Sequence, residues 1–89
     1  MHAMVFRITI NEQEEADRLL HEEFVPGMSQ APGFVAAYWV SIGENQGTSV
    51  IVFESDEAAR RVADANVPPP QTDAFTLENF DIGEVVAHA

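Results

Sequence analysis

The chain has 89 residues, of which 46% are hydrophobic and 21% charged, a length and balance typical of one globular domain. Its 15 acidic residues and four arginines give a formal charge of −11, which excludes phosphate backbones and anionic membranes as partners. There is no cysteine, no signal-peptide pattern and no run of about 20 apolar residues. We therefore expect a single cytoplasmic domain over residues 1–89.

The first elements are a strand and an acidic helix. Residues 4–10 (MVFRITI) alternate between an apolar face and a face that carries Arg7 and Thr9, which predicts a strand. Asn11 is a suitable N-cap, and Glu14 would complete a capping box. An apolar stripe at helical spacing follows and predicts an amphipathic helix that is interrupted or ends near Pro26. The stripe consists of Ala16, Leu19, Leu20 and Phe24.

A hairpin, a second helix and a last strand follow. Residues 34–42 and 48–54 are rich in β-branched and aromatic residues and flank the turn GENQG. Ser55 or Asp56 can cap a helix with an alanine-rich stripe, SDEAARRVADAN, and residues 68–70 (PPP) form a stiff connector. The last strand is predicted from about Leu77 to His88, with a possible bulge at Gly83.

The order β-α-β-β-α-β predicts an α+β, ferredoxin-like fold in which a four-stranded antiparallel sheet carries both helices on one face. Residues 34–40 (FVAAYWV) place adjacent aromatics on opposite faces, so both faces of the sheet need cover. A second copy of the chain is the simplest cover for the face without helices. We therefore predict a homodimer with Val35, Ala37 and Ile51 at its interface.

The segments APGFVAAYWVS, GTSVIVFESDEAAR and GEVVAHA resemble the antibiotic-biosynthesis-monooxygenase-like family of dimeric α+β barrel proteins. This resemblance covers essentially the whole chain and implies the barrel dimer. The family includes cofactor-free oxygenases of polyketide quinones and haem-degrading enzymes. Its oxygenases carry an Asn–Trp pair whose matching positions here are roughly Ser49 and Phe53, so that pair is absent. Haem degradation is set aside because the second helix lacks a histidine.

Candidate site residues follow from the resemblance and from the strand pattern. A ligand pocket would be lined by Tyr38, Trp39, Phe53, Arg7 and Thr9. Trp39, Arg7 and His88 are the catalytic candidates, because Arg7 could hold an anionic ligand and His88 could act as a base at the rim. Packing alone is the alternative role for the aromatic residues, and a pairing with Glu84 is the alternative for Arg7. The pattern leaves open which face of the sheet lines the cavity.

The resemblance thus implies a cofactor-independent, monooxygenase-like protein that acts on or binds a small aromatic or hydrophobic metabolite in a pocket between sheet and helices. The alternatives are a non-catalytic ligand-binding homodimer and a structural homodimer. No cofactor is expected, and no histidine spacing indicates a metal site.

Overall fold

The computed structural model has its strands and helices in the predicted order, β-α-β-β-α-β. The structure describes residues 1–66 and 73–89, and the predicted proline connector at 68–70 lies outside these residues. The elements are β1 (His2–Ile10), α1 (Gln13–Leu19), a π-helical segment (Leu20–Phe24), α2 (Val25–Ser29), β2 (Phe34–Ile42), β3 (Gln46–Phe53), α3 (Asp56–Asn66) and β4 (Phe75–Glu84).

The four strands form one antiparallel sheet in the order β2-β3-β1-β4. The helices lie on one face of this sheet, where α3 packs on β1, β3 and β4 and α2 packs on β2. This arrangement confirms the predicted ferredoxin-like fold. No helix among residues 1–66 and 73–89 is long and apolar enough to cross a bilayer.

The strand register defines the two faces of the sheet. Phe6 on β1 lies level with Ser49 on β3, and Ser49 lies level with Trp39 on β2, so these three side chains share the helix-facing side. One step along each strand, Val5, Val50 and Tyr38 are level with one another and share the opposite side. We call that second side the outer face. It consists of Ala3, Val5, Arg7, Thr9, Ala36, Tyr38, Val40, Ile42, Thr48, Val50, Val52 and Asp81.

The first helical layer is continuous from α1 to α2 but changes pitch in the middle. The Val25 N–H donates to the Leu20 carbonyl five residues earlier, which is π-helical bonding. Pro26 follows at the start of α2, and it has no N–H to donate and crowds the preceding turn. The wider π turn accommodates the proline, so the helix is interrupted near Pro26, as predicted, and then continues to Ser29.

The helix starts differ in how well the sequence predicted them. α1 is preceded by Glu12 without a side-chain cap, and the Asn11 amide instead donates to Thr76 Oγ1 at 3.0 Å, so the predicted capping box was wrong. Asn11 is drawn away because β4 passes beside it. At α3 the Ser55 hydroxyl accepts from the Ala58 N–H at 3.1 Å, which confirms Ser55 as the cap.

The last strand is shorter and differently kinked than predicted. Its register against β1 shifts between Arg7 and Ile8, opposite Asn79 and Leu77, so the extra residue is Glu78 rather than Gly83. β4 ends at Glu84, so the predicted extension to His88 was wrong.

Two groups of buried residues form the core. The larger surrounds the fully buried Ile51 and Phe53 and includes three side chains of α3, which are Ala59, Val62 and Ala63. The smaller surrounds Ala16, Ala74 and Phe75 under α1. The space between the two groups is not filled by side chains, and it forms the cavity described next.

Candidate ligand cavity

A cavity of about 200 Å³ lies between the sheet and the helices. Residues of both core groups line it, including Met4 and Ala63 from one and Ala16 and Phe75 from the other. An engineered cavity of about 150 Å³ binds benzene, so this volume suits a molecule with one or two rings. The other lining residues are Phe6, Ile8, Ile10, Gln13, Asp17, Leu20, Phe24, Met28, Trp39, Ser41, Gly47, Ser49, Leu77 and Phe80. Val40 and Thr48, which belong to the outer face by register, also border the space.

Aromatic rings form much of the wall. Phe6 and Phe80 stack on adjacent strands with ring centroids 6.2 Å apart, and Phe24 meets Phe75 edge-on at 5.6 Å. Trp39 lines the same space from β2. A wall of this kind offers both ring faces and ring edges to a bound aromatic molecule.

Ser49 places a hydroxyl on the floor of the cavity. Its residue is only 3% exposed, and it is flanked in register by Phe6 and Trp39. Ser49 Oγ is not among the fully buried side-chain atoms without a partner, which in the described residues are His2 Nδ1 and Thr48 Oγ1. Because Ser49 lines the cavity, its hydroxyl can donate to, or accept from, a ligand atom.

The exposed lining residues mark the mouth, which lies between α1 and the β2–β3 hairpin. Gln13 and Asp17 stand on one side and Ser41 on the other. The Gln13 amide donates to Asp17 Oδ1 at 3.0 Å, one helical turn apart. The mouth is therefore polar and carries a negative charge.

Of the five residues predicted for the pocket, one lines the cavity. Trp39 does so, while Phe53 is fully buried in the core and meets Phe34 edge-on at 6.4 Å. Tyr38, Arg7 and Thr9 lie on the outer face, where Tyr38 is 66% exposed. Successive side chains on a strand point to opposite faces of the sheet. Each of these three residues is next to one of the cavity-lining residues Phe6, Ile8 and Trp39, so each points away from the cavity.

The predicted interface residues also divide between the two faces. Val35 is 46% exposed at a bulge in β2, which leaves it open to contact. Ile51 is fully buried, and Ala37 lies level with it toward the helices. Ile51 and Ala37 therefore lie on the helix-facing side of the sheet, not on the outer face. Both faces of β2 and β3 are apolar, so the pattern alone did not distinguish them.

The three catalytic candidates are not brought together. Trp39 lines the cavity, Arg7 is exposed on the outer face, and His88 is exposed in the tail that follows β4. Arg7 lies level with Thr48 and Asn79, and no ion pair with Glu84 joins it within the described residues. Within residues 1–66 and 73–89, no group of three potential ligands could hold a metal ion.

The other three arginines are held in helix-surface ion pairs. Arg18 bonds Glu15 and Glu22, Arg60 bonds Asp56, and Arg61 bonds Glu57. The hydrogen bond from Arg18 lowers the pKa of the Glu15 carboxyl, against a smaller opposing effect of desolvation. None of these guanidinium groups lines the cavity.

Sequence reasoning missed most of the cavity wall. Gln13, Asp17, Phe80 and Leu77 were not singled out, although the helical stripe of residues 16, 20 and 24 was. Gln13 and Asp17 stand one turn apart beside that stripe, so their spacing was the signal available for the mouth.

No protein-family model and no curated protein sequence matches this chain. Solved structures do. The haem-degrader MhuD from Mycobacterium tuberculosis, with two haems bound in its active site, has a TM-score of 0.69 at 21% identity and covers 100% of this chain and 99% of its own. A dimeric ferredoxin-like protein from an uncultured marine organism has a TM-score of 0.62 at 14% identity, over 100% of this chain and 98% of its own.

A monooxygenase from Streptomyces coelicolor, in complex with the ligand nanaomycin D, has a TM-score of 0.59 at 16% identity. The match covers 99% of this chain and 91% of that chain. At these identities the likeness concerns the fold and carries no residue roles. The chain has the ferredoxin-like fold that its resemblance to the antibiotic-biosynthesis-monooxygenase-like proteins implied.

Proposed function

We propose that this protein binds a small aromatic or hydrophobic metabolite in the cavity between its sheet and helices and acts on it in the manner of a cofactor-independent monooxygenase. The observation that carries this proposal is an aromatic-walled cavity with the Ser49 hydroxyl in its lining. Ligand pockets are typically apolar with few polar groups that fix orientation, and this cavity has that composition. The neighbouring monooxygenase in complex with nanaomycin D adds support.

The oxygenation would need a substrate that itself supplies the electrons. A ring CH₂ beside a phenol can become C=O when one atom of O₂ enters the product and the other leaves as water. The CH₂ carbon loses four electrons, and O₂ takes up all four. The chain's own residues would bind the ring between Phe6, Phe80 and Trp39, exclude water and offer Ser49 to the phenolic oxygen.

Binding without catalysis is the second candidate. It is favoured because Ser49 and Phe53 occupy the approximate positions of the Asn–Trp pair of the family's oxygenases. In addition, Phe53 is fully buried in the core. Haem suits the cavity less well, since α3 carries no histidine and no described histidine lines the space.

The working unit in this proposal is a homodimer joined through the outer face. Five large apolar residues on or beside that face are at least 40% exposed, among them Tyr38 at 66% and Val40 at 50%. Exposed apolar residues that share one face of a sheet are typical of an interaction surface. The neighbouring dimeric ferredoxin-like protein supports the same assembly. The other three are Val5, Val35 and Ile42.

The ligand test uses Trp39, which is the only tryptophan and lines the cavity. We expect the simple phenol p-cresol to change its fluorescence saturably under excitation at wavelengths that tryptophan alone absorbs. Oxygen uptake with a two-ring phenol that carries a ring CH₂ beside the phenol would then separate catalysis from binding. Saturable binding without oxygen uptake would support the non-catalytic ligand-binding role. The absence of binding would refute both the monooxygenase-like role and the non-catalytic binding role.

The dimer test introduces a charge into the outer face. Val5→Asp should shift the sedimentation coefficient to that of a monomer, because an unpaired carboxylate is costly to bury. Gln30→Glu adds the same charge at an exposed site on the helical side and should leave the mass unchanged. An unaltered dimer in Val5→Asp would refute the interface.

A further inference from the structure

We infer that the cavity selects an uncharged aromatic ligand and rejects its anionic analogue, with Asp17 at the mouth as a specificity-determining residue. This inference rests on the proposed binding role and deepens it. It reverses the expectation that Arg7 would hold an anionic ligand.

The cavity has no positive group to meet an anion. Of the described lining residues, Asp17 alone has a charged side chain, and the other side chains are apolar or carry an indole, amide or hydroxyl group. Arg7 lies on the outer face, separated from the cavity by the sheet. The other arginines are paired on helix surfaces, and residues 67–72 (VPPPQT) include no basic residue.

An anion entering this space would lose water without replacement. The interior is lined mainly by rings and aliphatic chains, with the Ser49 hydroxyl among them. One hydroxyl satisfies one oxygen of a neutral phenol but not the several lone pairs of a carboxylate. Desolvation of the unpaired charge therefore opposes binding of the anion.

The mouth adds a repulsive contribution. Asp17 accepts a hydrogen bond from Gln13 at 3.0 Å, which holds its carboxylate at the cavity entrance. The side chain is exposed and screened by solvent, so its share of the discrimination is smaller than that of desolvation. The protein's net charge of −11 acts in the same direction over a longer range.

The experiment compares p-cresol with 4-methylbenzoate, two rings of similar size that differ in charge near neutral pH. Both are titrated against the full chain with Trp39 fluorescence as the readout. We expect the carboxylate to bind at least about tenfold more weakly, as charge repulsion and lost solvation imply. Asp17→Asn should narrow that ratio by about twofold to threefold, through tighter binding of the carboxylate.

Asp64→Asn is the matched control, because it removes the same charge from an exposed position on α3 outside the cavity. It should leave the ratio of the two affinities unchanged. Equal affinity for the two ligands would overturn this inference while leaving the binding role intact. A ratio that Asp17→Asn does not alter would overturn the assignment of Asp17, and binding of neither ligand would overturn the proposed function together with the inference.

Discussion

Gly33, at the entry to β2, lies in close approach to α3 and allows a sharp test of the packing. Its φ is +85°, in the region that favours glycine, and a Cβ added there would lie 2.7 Å from Ala58 Cβ. Gly33→Ala should therefore suffer both backbone strain and a clash with the helix. Gly43 has a φ of +68°, and a Cβ added to it would meet nothing within 4 Å, so Gly43→Ala isolates the strain.

The two contributions can be estimated separately. A left-handed φ costs a non-glycine residue about 1–2 kcal/mol, and reduced freedom of the unfolded chain returns about 0.4–1 kcal/mol. Gly43→Ala should thus lower the free energy of unfolding by about 1 kcal/mol. Overpacking against Ala58 adds about 1–3 kcal/mol, so Gly33→Ala should lower it by about 2–4 kcal/mol.

Urea unfolding followed by Trp39 fluorescence, at one fixed protein concentration, would measure these changes. Ala58→Gly removes the atom that clashes, at a helix-propensity cost of about 1 kcal/mol. The double variant should recover about 1–3 kcal/mol relative to the sum of the single variants. Equal losses in Gly33→Ala and Gly43→Ala, or strict additivity with Ala58→Gly, would refute the close approach.

Three further predictions concern the helix surface, the core and the cavity. An NMR titration should give the Glu15 carboxyl a pKa below its usual range, and Arg18→Gln should raise that pKa. The stabilisation from this ion pair is present above the pKa of Glu15 in the unfolded chain, and it is lost as the pH falls through the pKa of Glu15 in the folded protein. A Glu15 pKa unmoved by Arg18→Gln would contradict the pairing. Met4→Ala should lower the free energy of unfolding by about 2–5 kcal/mol because Met4 is 2% exposed, whereas Val86→Ala at 89% exposure should change it little in the same urea assay. Ser49→Val should keep the thermal midpoint within a few degrees yet weaken p-cresol binding several-fold; unchanged affinity would show that Ser49 does not contact the ligand.

The sequence predicted the fold well because each element has a strong local pattern. The alternation of residues 4–10, the GENQG turn and the Ser55 cap each fit one structure, and the β-α-β-β-α-β order leaves few topologies. The capping box at Asn11 failed because a tertiary partner, Thr76, competes for the same side chain. A local rule could not anticipate a strand that lies so far along the chain.

The candidate site was harder to predict because the sheet is apolar on both faces. A strand with one polar face shows which side is covered, but Tyr38 and Trp39 are adjacent and equally plausible as wall residues. The structure resolves the choice through the register, since Trp39 is level with Ser49 and Phe6 under the helices. The volume of the cavity depends on how far α1 stands from the sheet, and no spacing in the sequence encodes that distance.

The π-helical segment described above has a consequence for the phase of the helix. Lining residues recur at every fourth position along it, at 16, 20, 24 and 28. A regular α-helix has about 3.6 residues per turn, so a row with four-residue spacing drifts by about 40° at each step. A π turn holds more residues and rotates the row back, which keeps all four side chains directed at the same space. If residues 20–24 kept their number but formed a regular α-helix, three such steps would add up to about 120° between Ala16 and Met28, and the Gln13–Asp17 pair would leave the mouth. The pitch of this segment thus helps to set which side chains meet a ligand.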